Sequence, residues 1–280
     1  MLGDQKDYFE KMASEHKASA ILVPGASQFR NLVIDKAMRK TLTKIISDLK
    51  DNFVLEVGCG IGRWTQIVGV SNSVVAVDIS RAMIKLAIQR CAGLECAFVV
   101  ASASALPFKP SVFDLSFTIT VLQHILSAEG FAKAISDISY CTKESVLIVD
   151  QMSGKNETLL SDVYCPIRIL PADSYIEYLE REGLHVFYLA GLTYTPVLVL
   201  FTEFLAMRKK MTNGVFARKA KASSVMSKAL HFGMGVCTLS ALLMPRGKYN
   251  PQLSLHTILI ARKKQKSGDA KKLSALYSLG

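Results

Sequence analysis

The sequence predicts an α/β fold with a doubly wound parallel sheet, and three observations predict it. An apolar run over residues 53–57 breaks directly into glycines at positions 58, 60 and 62. A second apolar run, 74–77, ends on Asp78, twenty residues after Gly58. Short apolar segments then alternate with helix-periodic ones, the pattern of βαβ units.

The elements follow in order. Residues 1–20 read as a polar helix with Tyr8 and Phe9 as anchors. Over 29–50, Leu32, Val33, Ala37, Met38, Leu42, Ile45, Ile46 and Leu49 share one helix face. Strands are expected at 53–57, 74–78, 96–100, 113–118 and 145–150, with helices at 63–70, 80–91 and 129–141. Asp173 before 175–182 and Gly183 after it mark a capped helix with a glycine stop. Residues 184–190 and 254–262 complete seven strands. The division expected is 1–50 as N-terminal helices capping the site, 51–190 as the core, 191–253 as a helical insert, and 254–280 as last strand and basic tail.

The glycines carry the first chemical inference. A chain leaving a strand for a helix must turn sharply, and glycine lets backbone N–H groups approach a ligand closely, with a helix N-terminus behind them. Asp78 can accept hydrogen bonds from the vicinal hydroxyls of a ribose. A nucleoside-bearing cofactor follows. The loop is G-x-G-x-G rather than the dinucleotide G-x-G-x-x-G, and Glu56 precedes it by two residues. A carboxylate there would repel a pyrophosphate and suit an amino group or a sulfonium.

The stretch Glu56-x-Gly58-x-Gly60-x-Gly62 resembles the first motif of the class I S-adenosylmethionine-dependent methyltransferases. Residues 74–80 resemble their ribose-binding motif. Residues 99–103, with Leu106-Pro107-Phe108, resemble the adenine segment of the subgroup that includes quinone-biosynthesis enzymes. Residues 113–125 and 145–150 resemble the fourth and fifth strands. The resemblance covers roughly 30–190 and implies a Rossmann-like seven-stranded sheet with one antiparallel strand. It implies S-adenosyl-L-methionine as cofactor, with Gly58 and Gly60, and Cys59 between them, holding the amino-acid end. Glu56 would sit near that end or orient the loop, and Asp78 would bind the ribose. Ile79 would pack on the adenine, Ser102 and the Ala103 amide would meet its edge, and Thr118 and Ile119 would line the floor. Serine stands at 102 where the family usually has aspartate. His124 lies where the family often has a histidine near the methyl group, as general base or as a packing residue. Arg30 is a candidate for the cofactor carboxylate, and Tyr8, Tyr164, Arg168 and Tyr194 for the acceptor.

Composition narrows the class. None of the six cysteines forms a C-x-x-C pair and no histidine cluster joins them, so no metal is expected. The first residues include Asp4, Lys6, Asp7 and Glu10 without an apolar run, so a cytoplasmic protein is expected. Net charge is +11, and 208–280 hold 15 Lys or Arg against Asp269 alone, 15 − 1 = +14. Such asymmetry suits a phosphate-bearing acceptor, an acidic membrane surface or nucleic acid, or forms a solvated tail. The apolar segments 196–207 and 229–244 are each shorter than the roughly 20 residues of a membrane span. They suit a lid over the site or contact with a membrane or partner. A small-molecule, lipid or lipid-linked glycan acceptor methylated on oxygen is expected. An RNA methyltransferase, a non-catalytic cofactor-binding protein and a nicotinamide oxidoreductase are the alternatives.

Overall fold

The computed structural model describes residues 2–16, 28–46, 49–160, 165–193 and 254–263. Two helices, α1 (Leu2–His16) and α2 (Gln28–Ile46), precede β1 (Phe53–Val57). Then come α3 (Thr65–Val68), β2 (Ser73–Asp78), α4 (Arg81–Arg90), β3 (Cys96–Val100) and β4 (Phe113–Ile119). After a 3-10 turn at Leu122–His124 follow α5 (Ala128–Cys141) and β5 (Thr142–Asp150). Short strands β6 (Met152–Ser153), β7 (Thr158–Leu160) and β8 (Ile167–Pro171) lead to α6 (Ala172–Arg181), β9 (Leu184–Thr193) and β10 (Ser254–Lys263).

The main sheet has seven strands in the order β3-β2-β1-β4-β5-β10-β9. Pairings from β3 through β5 are parallel, and β10 runs antiparallel to both β5 and β9. Strand order reverses between β1 and β4, and a crevice opens there at the carboxyl ends, the usual ligand position in such sheets. Central strands are buried on both faces, which is why they read as continuous apolar runs. One face packs Met38, Leu42 and Ile46 of α2 against Val54 and Phe117. The other packs Phe131, Ile135 and Ile138 of α5 with Tyr175 of α6 against Leu55 and Ile148.

Several elements differ from the sequence reading. The helix expected at 63–70 is a single turn, Thr65–Val68, because the loop takes residues 60–64 as turns. Pro171, with no side-chain bond, caps α6, and Asp173 lies in its first turn; Gly183, at φ +77°, does end that region. The strands β6, β7 and β8 form a small sheet that no periodicity predicted, being two to five residues long. β9 runs to Thr193, so the expected boundary at 190 falls inside a strand. The insert reading of 194–253 and the tail beyond 263 lie outside the described residues. Among the described residues, no helix is long and apolar enough to cross a membrane, and no His, Cys, Asp or Glu group could hold a metal ion.

Candidate active site

The glycine loop turns on positive φ: Gly58 at +77°, Gly60 at +51° and Gly62 at +75°. A Cβ on Gly58 would come within 2.2 Å of Val121 Cγ2, and one on Gly62 within 3.0 Å of Ala87 on α4. Glycine is therefore needed twice over, for backbone angle and for close packing.

The loop's amides are already occupied. Gly58 and Cys59 both donate to the Val77 carbonyl, at 2.7 and 2.9 Å, and Gly62 donates to Cys59 O at 2.9 Å. Gly60 donates to Asp78 Oδ2 at 2.8 Å, and Ser80 donates to Asp78 Oδ1 at 2.9 Å. The expectation that glycine N–H groups face a ligand is corrected here, because these donors hold the loop onto β2. Each Asp78 oxygen keeps a further acceptor position. Burial pushes the Asp78 carboxyl up to about 6, opposed by the amides of Ser80 and Gly60.

A cavity of about 270 Å3 opens at the switch point. Gly58, Cys59, Gly60, Asp78, Ile79, Ser102 and Ala103 line it. Ile119 and His124 also reach it. Glu56 and Thr118 are not among its lining residues. Glu56 is 2% exposed behind the loop and accepts a hydrogen bond from Thr65 Oγ1, tying β1 to α3. Burial raises its carboxyl to about 8, so it is protonated at neutral pH and offers no charge to a cation. Thr118 is fully buried inside β4.

Helix α1 contributes Gln5, Tyr8 and Phe9 to the cavity lining. Gln5 on α1 donates to the His124 carbonyl, and Glu10 accepts from the Arg81 and Ala82 amides at 2.7 and 3.0 Å. Glu10 thereby satisfies donors that the start of α4 leaves open. Tyr8 and Phe9 project into the cavity between these two contacts, and the Phe9 ring meets His124 edge-on at 5.3 Å. His124 Nδ1 lies 3.4 Å from Cys165 Sγ. Apolar burial holds the imidazole down to about 4, so it is neutral at pH 7. The 3-10 turn carrying it is braced just past β5, where the Gln151 amide donates to Gln123 Oε1 at 3.0 Å.

Sequence reasoning missed Gln5, Arg63, Ser104, Thr120 and Cys165, all of which line the cavity. Ser104 bonds Ser102, the hydroxyls lying 3.0 Å apart. Thr120 sits at φ +59°, a strained non-glycine angle at the end of β4 that no sequence pattern announces. Arg168 pairs with Glu157 at 2.6 Å on the small sheet and does not line the cavity. Tyr164, Tyr194 and the side chain of Arg30 lie outside the described residues.

Residues 54–145, about a third of the chain, match the methyltransferase domain family. An uncharacterised protein of Methanocaldococcus jannaschii is 24% identical over 191 residues, covering 68% of this chain and 79% of that one. The 18S rRNA (guanine-N(7))-methyltransferase bud23 of Schizosaccharomyces pombe is 30% identical over 98 residues, 34% of this chain and 36% of that protein. The magnesium protoporphyrin IX methyltransferase of Synechocystis PCC 6803, solved with bound S-adenosylmethionine, superposes with a TM-score of 0.54. It is 15% identical, and the match covers 92% of this chain and 95% of that one.

Proposed function

We propose that this chain, built on a class I S-adenosylmethionine-dependent methyltransferase domain, methylates a small, largely apolar acceptor on oxygen. The observation that carries this reading is one cavity that Asp78, Gly60, Phe9 and His124 all line. The residues present suit S-adenosylmethionine. Gly58 and Gly60 line the cavity without side chains, Asp78 offers acceptors to vicinal hydroxyls, and Ser102, Ala103 and Ser104 give a purine a polar edge.

When bound, that cofactor supplies a methyl group on a positively charged sulfur. The chain's own contribution is alignment, since holding reactants in line lowers a barrier by several kcal/mol. Phe9, Ile125 and Cys165 would hold an apolar acceptor against His124 and exclude water. Neutral His124 would receive the proton that leaves an acceptor hydroxyl. With its pKa near 4 it is a weak base, so it takes that proton only as charge develops on the oxygen.

A second reading, RNA methylation, draws on the match to bud23. A lipid or lipid-linked acceptor at an acidic surface rests on the basic quarter 208–280, of which only 254–263 is described. The test is incubation of the purified protein with methyl-labelled S-adenosylmethionine and fractionated cell extract. Label in low-mass, organic-soluble material is expected. Label in RNA alone would replace the proposal with the second reading.

A further inference from the structure

We infer that Cys165 is a positioning residue for His124, holding the imidazole as its Nδ1–H tautomer so that Nε2 keeps the lone pair an acceptor hydroxyl needs. This rests on the proposed role of His124 as the group that receives the acceptor's proton. A neutral imidazole carries its one proton on either of two nitrogens, and only the bare nitrogen can take another. Burial keeps His124 neutral, so the nitrogen left bare decides what the ring can do.

The contacts of the ring bear on that choice. Cys165 Sγ lies 3.4 Å from Nδ1. The same sulfur lies 3.9 Å from the Pro166 carbonyl, which accepts the thiol hydrogen. With that hydrogen directed to Pro166, the sulfur turns its lone pairs to Nδ1 and accepts the N–H. Cys165 is 7% exposed and burial pushes its thiol up to about 11, so it stays S–H at neutral pH and presents no charge to the ring. The Pro166 carbonyl also bonds the imidazole, and a carbonyl only accepts. Two neighbours in one short segment thus favour a protonated nitrogen beside them.

The turn that carries the ring is held in place. Phe9 meets the imidazole edge-on at 5.3 Å, Gln5 donates to the His124 carbonyl, and Gln123 is bonded by the Gln151 amide at 3.0 Å. Cys165 lies just before β8, and β8 packs against that turn. Thiol and imidazole therefore come from separate elements and meet at the cavity both line. Nδ1 is occupied there by Cys165, and Nε2 is the nitrogen left for a ligand.

The test is proton–nitrogen correlation spectroscopy of the full chain carrying isotope-labelled histidine, whose ring signals separate the two tautomers. His124→Gln identifies the signal. Wild type should hold His124 as Nδ1–H. Cys165→Ala should lower the ratio of Nδ1–H to Nε2–H by about fivefold, the scale of one neutral hydrogen bond. Cys165→Ser, which can still accept from Nδ1 and donate to Pro166, should restore the ratio. In the methyl-labelling assay, transfer should fall in Cys165→Ala and recover in part in Cys165→Ser. A wild-type ring protonated on Nε2 would overturn the assignment whether or not a variant folds. An unchanged ratio in Cys165→Ala would also overturn it, leaving Cys165 as packing alone. If His124 is Nδ1–H and wild type transfers no methyl group, the proposed function fails and the tautomer assignment stands. If methyl transfer occurs with the proton on Nε2, only this assignment fails.

Discussion

The backbone N–H of Gly60 donates to Asp78 Oδ2 at 2.8 Å across 18 residues of sequence. The glycine loop after β1 and the carboxylate at the end of β2 are therefore one unit. Asp78 has two tasks: it fixes the loop and presents its remaining lone pairs to the cavity.

That double task sets the first prediction. Asp78→Ala should weaken S-adenosylhomocysteine binding by roughly 1–3 kcal/mol, the scale of unpairing charged hydrogen bonds. Affinity in wild type should also fall as pH drops through about 6, where the Asp78 carboxyl takes a proton. Calorimetry between pH 5 and 8 reads both effects. Unchanged affinity in a folded variant would remove Asp78 from the site.

Gly58→Ala should be damaging for two separable reasons. Its φ of +77° is unfavourable for alanine by about 1–2 kcal/mol, and the new Cβ would overlap Val121. Adding Val121→Ala should relieve the overlap and leave the backbone cost, restoring part of the lost thermal stability. Full restoration would mean that the angle contributes nothing.

Stability should decline with rising pH just above neutrality. Burial raises Glu56 and Asp150 to about 8, from ordinary values of 4.5 and 3.8. Between the ordinary and raised values the folded chain holds protons that the unfolded chain has released. The stabilisation is complete below the unfolded values and is lost as pH rises through 8, by up to about 1.4 kcal/mol per unit for each group. The buried histidines, lowered to about 4, partly oppose this up to about pH 7.5, because the unfolded side chains still titrate near 6.5; from about pH 7.5 to 8.5 they are neutral in both states. Urea melts across that range should show the slope. Glu56→Gln should flatten it, and a slope of the opposite sign would contradict the account.

Most of the sheet was legible because central parallel strands, buried on both faces, have to be apolar throughout. The run 53–57 and the glycines after it needed no further context, and Asp78 followed from spacing alone. Glu56 was expected near the cofactor's amino-acid end or orienting the loop; it is bonded to Thr65 behind the loop, a choice between the two that sequence does not report. The ligand-facing amides expected of Gly58 and Gly60 failed for a related reason: their partners, Val77 O and Asp78 Oδ2, belong to a neighbouring strand. Arg63 escaped notice because any arginine after a helix start reads as solvated. Its burial depends on Asp35 and Trp64 closing around it.

His124→Gln should separate binding from chemistry. The imidazole packs against Phe9 and Cys165 and bonds neither Asp78 nor the glycine loop, so S-adenosylhomocysteine affinity should change little. Turnover should fall by about 10^2-fold or more if His124 takes the acceptor's proton. Equal turnover, once an acceptor is in hand, would leave His124 as a packing partner of Phe9 and Cys165.

The most direct test of the central claim is calorimetric titration of the wild-type chain with S-adenosylhomocysteine, with NAD titrated in parallel. One site per chain in the micromolar range is expected, about −8 kcal/mol, with no measurable heat from NAD. Binding of NAD, with no S-adenosylhomocysteine binding at millimolar concentration, would contradict the cofactor assignment and the methyltransferase reading built on it.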